Sequence, residues 1–234
     1  MAPARGGPQP IPRPAGSRPG GPAPWADLSA TDRVVTVHRL RRVFAGRIGH
    51  PSEIEVDPTD RTDRASSVLA PFYEDDGELF VILTRRGQGL RSHRGEVSFP
   101  GGLSEPGETL VDAARRETEE EIGLVPASVD VLGELDHLRT IRNRSFIVPH
   151  VGLVAGGRPE LKPNPAEVDA VLLVPVAELL LDEVYREERW TWEGEERPIF
   201  FFELVGDTVW GATAAMLRQL LALALDLPAG IDHP

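Results

Sequence analysis

Glu117, Glu120 and Glu121 stand at i, i+3 and i+4. In a helix that spacing puts three carboxylates on one face. Like charges so placed repel and weaken the helix, unless something positive offsets them. Mg2+ and Mn2+ prefer oxygen ligands and are the natural candidates. The plain alternative is a solvated acidic face with Arg116 paired to Glu120 at i,i+4. Within residues 101–124 the acidic run follows a Gly-rich, Pro-containing loop and stops at Gly123. Just upstream, Arg85, Arg86, Arg91, His93 and Arg94 fall within ten residues of an otherwise acidic chain. Guanidinium groups bind phosphate through paired hydrogen bonds, and Gly87, Gly89 and Gly95 let the backbone bend toward a ligand. Clustered cations with a metal would let an acidic protein bind a phosphorylated small molecule.

The full spacing narrows this chemistry. It runs Gly102, five residues, Glu108, seven residues, then Arg116-Glu117-Thr118-x-Glu120-Glu121-x-Gly123-Leu124. It resembles the Nudix box, the signature of hydrolases that cleave a nucleoside diphosphate linked to another group. Thr118 stands where that family usually has an aliphatic residue. Upstream, Leu83, Thr84, Arg86, Arg91, Gly95, Phe99, Pro100, Gly101 and Gly102 resemble the signature of coenzyme A pyrophosphatases, with Ile82 and Gly87 as substitutions within it. Residues 209–214, Val-Trp-Gly-Ala-Thr-Ala, look like the start of that subfamily's last helix.

The resemblance implies metal-dependent hydrolysis with Mg2+ or Mn2+. Glu117 and Glu121 would be metal ligands. Glu120 would be a third ligand or the group that takes a proton from water, and the Gly101 carbonyl adds a ligand in the family. Glu108 and Arg116 would pair and tie the loop to the helix, while Arg86 and Arg91 would meet substrate phosphates. Some relatives place a base on another loop, and Glu167 in Asn164-Pro165-Ala166-Glu167-Val168 is the candidate here. The expected substrate is coenzyme A or an acyl derivative, split into 3',5'-ADP and (acyl-)phosphopantetheine. ADP-ribose or another nucleoside diphosphate derivative is the alternative. A non-catalytic nucleotide-binding regulator is the reading from another class, and the retained carboxylates weigh against it. The resemblance leaves room for a homodimer. His93, His137 and His150 are paired with no nucleophile in the sequence. Arg139, Arg142 and Arg144 read as a solvated basic turn, with neutralising substrate phosphates the alternative, and Trp190, Trp192 and Phe200 to Phe202 as strand residues of a core, with stacking on an adenine the alternative.

The elements that must position these groups follow from pattern. Residues 67–73 and 78–85 are β-rich runs around a Glu-Asp-Asp-Gly turn, a hairpin signal. The carboxylate helix comes next, and strands are expected over 129–135, 145–154 and 170–173. A short helix follows Pro175. A second hairpin is expected over 186–192 and 198–205, and an apolar helix over 211–225. Ser29 is expected to cap a first helix that closes at Gly46, with residues 50–65 a loop. This order predicts an α+β fold, and the resemblance sharpens it to a Nudix-like α/β/α sandwich: a mixed sheet between helices, with a catalytic loop-helix-loop. Residues 1–24 hold eight prolines, five glycines and three arginines but no acid. Such a segment cannot bury enough apolar surface by itself and reads as a disordered tail before a single domain over 25–234.

Composition bounds the rest. A net charge of −12 argues against general nucleic-acid affinity. No run of about 18 apolar residues is present, so no membrane span is expected. The chain has no cysteine, which excludes disulfides and thiolate metal sites. It also lacks an apolar N-terminal signal region, and together these fit a cytoplasmic protein.

Overall fold

The computed structural model describes residues 4–50, 65–90, 92–139, 146–192 and 194–230. Twelve strands and four α-helices occur among the described residues: β1 (Arg18–Pro19), α1 (Val37–Phe44), β2 (Ala65–Asp75), β3 (Glu78–Arg86), β4 (Val97–Ser98), β5 (Gly101–Leu103), α2 (Leu110–Ile122), β6 (Val129–Glu134), β7 (Leu138–Arg139), β8 (Phe146–Val154), β9 (Val168–Pro175), α3 (Val176–Leu179), β10 (Tyr185–Trp192), β11 (Glu195–Glu203), β12 (Thr208–Trp210) and α4 (Gly211–Ala224). The expected α+β class is what the structure shows.

The larger sheet has eight strands, with the path β4-β3-β2-β8-β6; β5 pairs with β2, β7 with β8 and β9 with β3. It is mixed, because β2 and β8 run parallel while β3 and β5 run antiparallel to β2. Alternation along β2 sends Leu69 and Tyr73 to one face and Ala70 and Phe72 to the other. On the first face Ala114 and Ile122 of α2 pack with Leu69, Tyr73, Ile82 and Val154. On the second, Phe72, Val81 and Leu83 join α1, α4 and a smaller sheet in the main core. That smaller sheet is antiparallel, in the order β1-β10-β11-β12. Phe200 and Phe202 face the core, while Trp190 packs on Phe201 at 6.2 Å and on Trp210 at 6.3 Å. Trp192 departs from the core expectation and is exposed.

Two expectations are corrected. The first helix begins at Val37, capped by Thr36, whose hydroxyl accepts the Arg39 N–H at 3.2 Å. Ser29 instead donates to Asp32 at 2.6 Å within a turn, so the local capping signal closes a turn and not a helix. The supposed tail is also placed: residues 4–24 run along the smaller sheet. Its arginines meet acids of the sheet and of α3: Arg13 to Glu188 at 2.6 Å and Arg18 to Glu196 on the sheet, and Arg5 to Glu178 of α3 at 2.8 Å. Gly6 N–H donates to the Leu204 carbonyl at 2.7 Å and Gly20 N–H to that of Glu187 at 2.8 Å. The composition argument is sound for the segment alone. It misses that the segment can lie on a core built by others, with Trp25 fully buried against Tyr185 and Phe202 at its end. Most of the expected 50–65 loop lies outside the described residues. Among them, no helix is long and apolar enough to cross a membrane.

Candidate active site

Two glycines form the floor of the site. β5 runs beside β2 with Gly101 opposite Val68 and Gly102 opposite Ser67. Gly101 has a φ of 151°, and a Cβ there would lie 2.3 Å from the Ser67 carbonyl oxygen. A Cβ on Gly102 would lie 2.4 Å from the carboxyl carbon of Glu117. The missing side chain at Gly101 lets β5 lie close against β2, and the one at Gly102 lets Glu117 of α2 approach β5.

Helix α2 is held at both ends. Thr109 caps it, accepting the Asp112 N–H at 3.2 Å. Gly123 closes it in the left-handed conformation, at φ 70°, which costs a glycine little. The last carbonyls are taken by the loop before β9: Lys162 N–H donates to Ile122 at 2.7 Å and Asn164 N–H to Glu121 at 2.8 Å. The same loop turns so that the Glu167 carbonyl accepts the Gly87 N–H at 2.7 Å. Glu167 is thereby brought from a distant stretch of sequence to the end of α2, close enough for its charge to act on Glu121.

Glu121 is the buried member of the acidic face, 4% exposed. Its Oε1 lies 3.7 Å from Arg86 Nη1. Oε2 is buried with no hydrogen-bond partner. Burial pushes this carboxyl up to about 7; Arg86 and the Gly101 N–H oppose the shift, and Glu167 and Glu117 add to it. Glu117 accepts from Arg116 Nη1 at 2.9 Å beside Gly102. The three acids therefore do not project alike: the side chains of Glu117 and Glu121 are 19% and 5% exposed, against 55% for Glu120. Residues 117 and 121, one turn apart, sit over the Gly101-Gly102 floor, and the helical rotation turns 120 outward.

Arg116 is the hub of this face. It grips Glu108 with two hydrogen bonds, Nε to Oε1 at 2.9 Å and Nη2 to Oε2 at 3.1 Å. It also donates to the Leu103 carbonyl at 3.2 Å and to Glu120 at 3.3 Å. The anticipated Glu108–Arg116 contact is thus present. Arg116, with the Glu105 N–H, holds the Glu108 carboxyl below its usual range. A cavity of about 460 Å3 opens on another flank of α2, lined by Asp112, Arg115 and Glu119 as well as this pair, but by neither Glu117 nor Glu121.

Arg86, expected at substrate phosphates, faces Glu121. Arg91, Arg142 and Arg144 lie outside the described residues. His93 pairs with Glu96 at 2.9 Å. His137 bonds Glu134 at 3.0 Å, and His150 lies 3.9 Å from the same carboxylate, on β8. Sequence reading missed a second anchor for this region: Arg85 grips Asp207 at 2.7 and 2.6 Å, and Gln9 donates to Asp207 at 2.7 Å. A lone Asp in Val-Gly-Asp-Thr gives no sign of a partner more than a hundred residues away.

Among the described residues no three carboxylates or imidazoles form a ready-made metal cage. Mg2+ does not need one, since it keeps several waters and takes one or two carboxylates. The orphaned, buried Glu121 Oε2 beside Glu117 fits such an ion.

The NUDIX domain profile matches residues 63–192. The chain is 38% identical over 174 residues to Nudix hydrolase 22, chloroplastic, of Arabidopsis thaliana, covering 72% of this chain and 57% of that protein. Nudix hydrolase 3 of Caenorhabditis elegans is 45% identical over 121 residues, 50% of this chain and 49% of its own length. An uncharacterised Nudix hydrolase NudL of Photorhabdus laumondii is 36% identical over 141 residues, 60% of this chain and 74% of that protein. The chain thus spans little more than half the length of the plant protein and about half that of the nematode one. A profile match that contains the glycine floor, the acidic helix and Glu167 together places this chain in the Nudix family of hydrolases.

Proposed function

We propose that the protein hydrolyses the diphosphate linkage of a nucleotide derivative with Mg2+ or Mn2+, and that coenzyme A or an acyl-CoA is the substrate. The observation that carries the reaction class is Glu121, buried over Gly101 with an unpartnered oxygen and flanked by Glu117, Glu167 and Arg86. Glu117 and Glu121 would hold the ion, with Gly101 as a further ligand. The ion would neutralise the diphosphate and acidify a water. Glu120, open to solvent and steadied by Arg116, accepts the proton of the attacking water; Glu167 is the second candidate. Arg116 and Glu108 keep the loop and helix in register, so the ligands do not wander. Arg86, with Arg91, binds the substrate phosphates. The half-buried Arg86 guanidinium, facing an anion but only 3.7 Å from it, is free to take a stronger bidentate partner. The coenzyme A assignment rests on the Arg86 to Gly102 pattern in the sequence.

The test is a substrate panel with product masses, run on wild type, Glu120→Gln and Glu117→Gln. Wild type should release 3',5'-ADP from coenzyme A only with metal, and each variant should lose about 100-fold or more. Equal rates for wild type and variants would sink the carboxylate assignment. Turnover of ADP-ribose and none of coenzyme A would move the substrate. Binding without turnover would favour a regulator.

A further inference from the structure

Successive residues of a strand point to opposite faces. At the end of β3 this sends Arg86 toward Glu121 and Arg85 toward Asp207. The pairing of β3 with β9 slips at this same step, where β9 carries one extra residue, Asp169, between the partners of the two arginines. Asp207 is 2% exposed and Gln9 is 7% exposed. Both donors of the Gln9 amide and its oxygen are engaged here. Its NH2 donates to Asp207 Oδ1 at 2.7 Å and to the Gly95 carbonyl at 3.3 Å, and its oxygen accepts the Thr208 N–H at 2.8 Å. Gly95 N–H in turn donates to the Arg86 carbonyl at 3.0 Å, and Arg86 N–H donates to the Glu96 carbonyl at 2.9 Å. One side chain from the N-terminal segment therefore joins the smaller sheet, the far end of the basic loop and the backbone of Arg86.

We propose that Gln9 is a positioning residue that clamps the basic loop, and through it Arg86, for the substrate diphosphate. This rests on the reading of Arg86 as a phosphate ligand. The N-terminal segment is then part of the binding apparatus and not an appendage. Removing the amide leaves Asp207, Gly95 and Thr208 without a shared partner in a buried place, where bulk water reaches poorly. The loop loosens on the substrate side, while the carboxylates on α2 keep their own supports.

The experiment uses the full chain with Gln9→Ala, Gly7→Ala and Arg13→Ala. An added Cβ at Gly7 would lie 2.5 Å from the Asp207 Cα, so Gly7→Ala lifts the segment by a second route. Arg13→Ala breaks an ion pair of the same segment on β10, away from the loop. Amide exchange at Gly95 and Glu96 should quicken about tenfold in the first two variants and hold in the third. KM for coenzyme A should rise about 3- to 10-fold in those two, with kcat within about twofold of wild type. Unchanged exchange in Gln9→Ala and Gly7→Ala overturns the clamp. Quickened exchange with an unchanged KM overturns the positioning role. If wild type cleaves neither coenzyme A nor ADP-ribose, the functional reading fails, and exchange alone decides whether Gln9 holds the loop.

Discussion

Arg116 reaches five acceptor atoms on four residues, Leu103 and Glu108 before α2 and Glu117 and Glu120 on it, and Arg is the side chain whose planar fork allows this. Arg116→Lys keeps the charge and loses the grip on Glu108. It should lower kcat about 10- to 100-fold and raise the metal concentration for half-maximal rate, a titration that checks it directly. His150 carries a different prediction. Burial holds its pKa below the ordinary 6.5; Glu134 opposes, while His137 and Arg115 add to the lowering. The unfolded chain then binds a proton before the folded one does. This contribution to stability is whole above 6.5 and is lost as pH falls through the folded value. Glu134, itself held below 4.5, acts in the same sense in a more acid window. The melting midpoint of wild type should fall between about pH 7 and about pH 5, and His150→Asn should flatten that part of the curve. An unflattened curve assigns the slope elsewhere.

Helix α2 shows how an element places a site. Its cap, its left-handed stop and the loop docked on its last carbonyls determine where Glu117 and Glu121 stand along the glycine floor. Thr109→Ala removes the cap and should cost about 1 kcal/mol, with Thr109→Ser recovering most of it in a denaturant titration. Gly102→Ala acts otherwise. Its carbon would meet the Glu117 carboxyl group, so activity should drop more than tenfold while the denaturation midpoint moves less than for a core substitution. A wild-type rate in Gly102→Ala would mean that the approach of α2 to β5 does not matter to the chemistry. The elements themselves were readable where periodicity is long: both hairpins, α2 and α4 fall where pattern put them, to within a few residues. The strands left unread, β1, β4, β5, β7 and β12, have two or three residues each. Such runs carry no period, and only a neighbouring strand makes them strands.

Across the whole molecule the two sheets share one core, and the N-terminal segment seals its edge. Trp25, fully buried between Tyr185 and Phe202, anchors that seal. Trp25→Ala should cost about 3–5 kcal/mol and should quicken exchange along β10 as well as near Trp25, because the segment covers that strand. A change confined to the tryptophan's own neighbourhood would mean the segment is held by its arginines instead. The sequence by itself determined the α+β class, the acidic face, the Glu108–Arg116 contact and the basic loop, because each depends on residues near one another along the chain or on one helical period. Only the tertiary structure decided which carboxylate is buried, that Arg86 faces Glu121, that Glu167 comes to the end of α2, and that a Pro-rich segment joins the fold. Those outcomes depend on burial and on partners tens to nearly two hundred residues away, which local pattern does not encode. The three carboxylates at 117, 120 and 121 are therefore one pattern in sequence but two environments in space: two on a glycine floor, and one facing water.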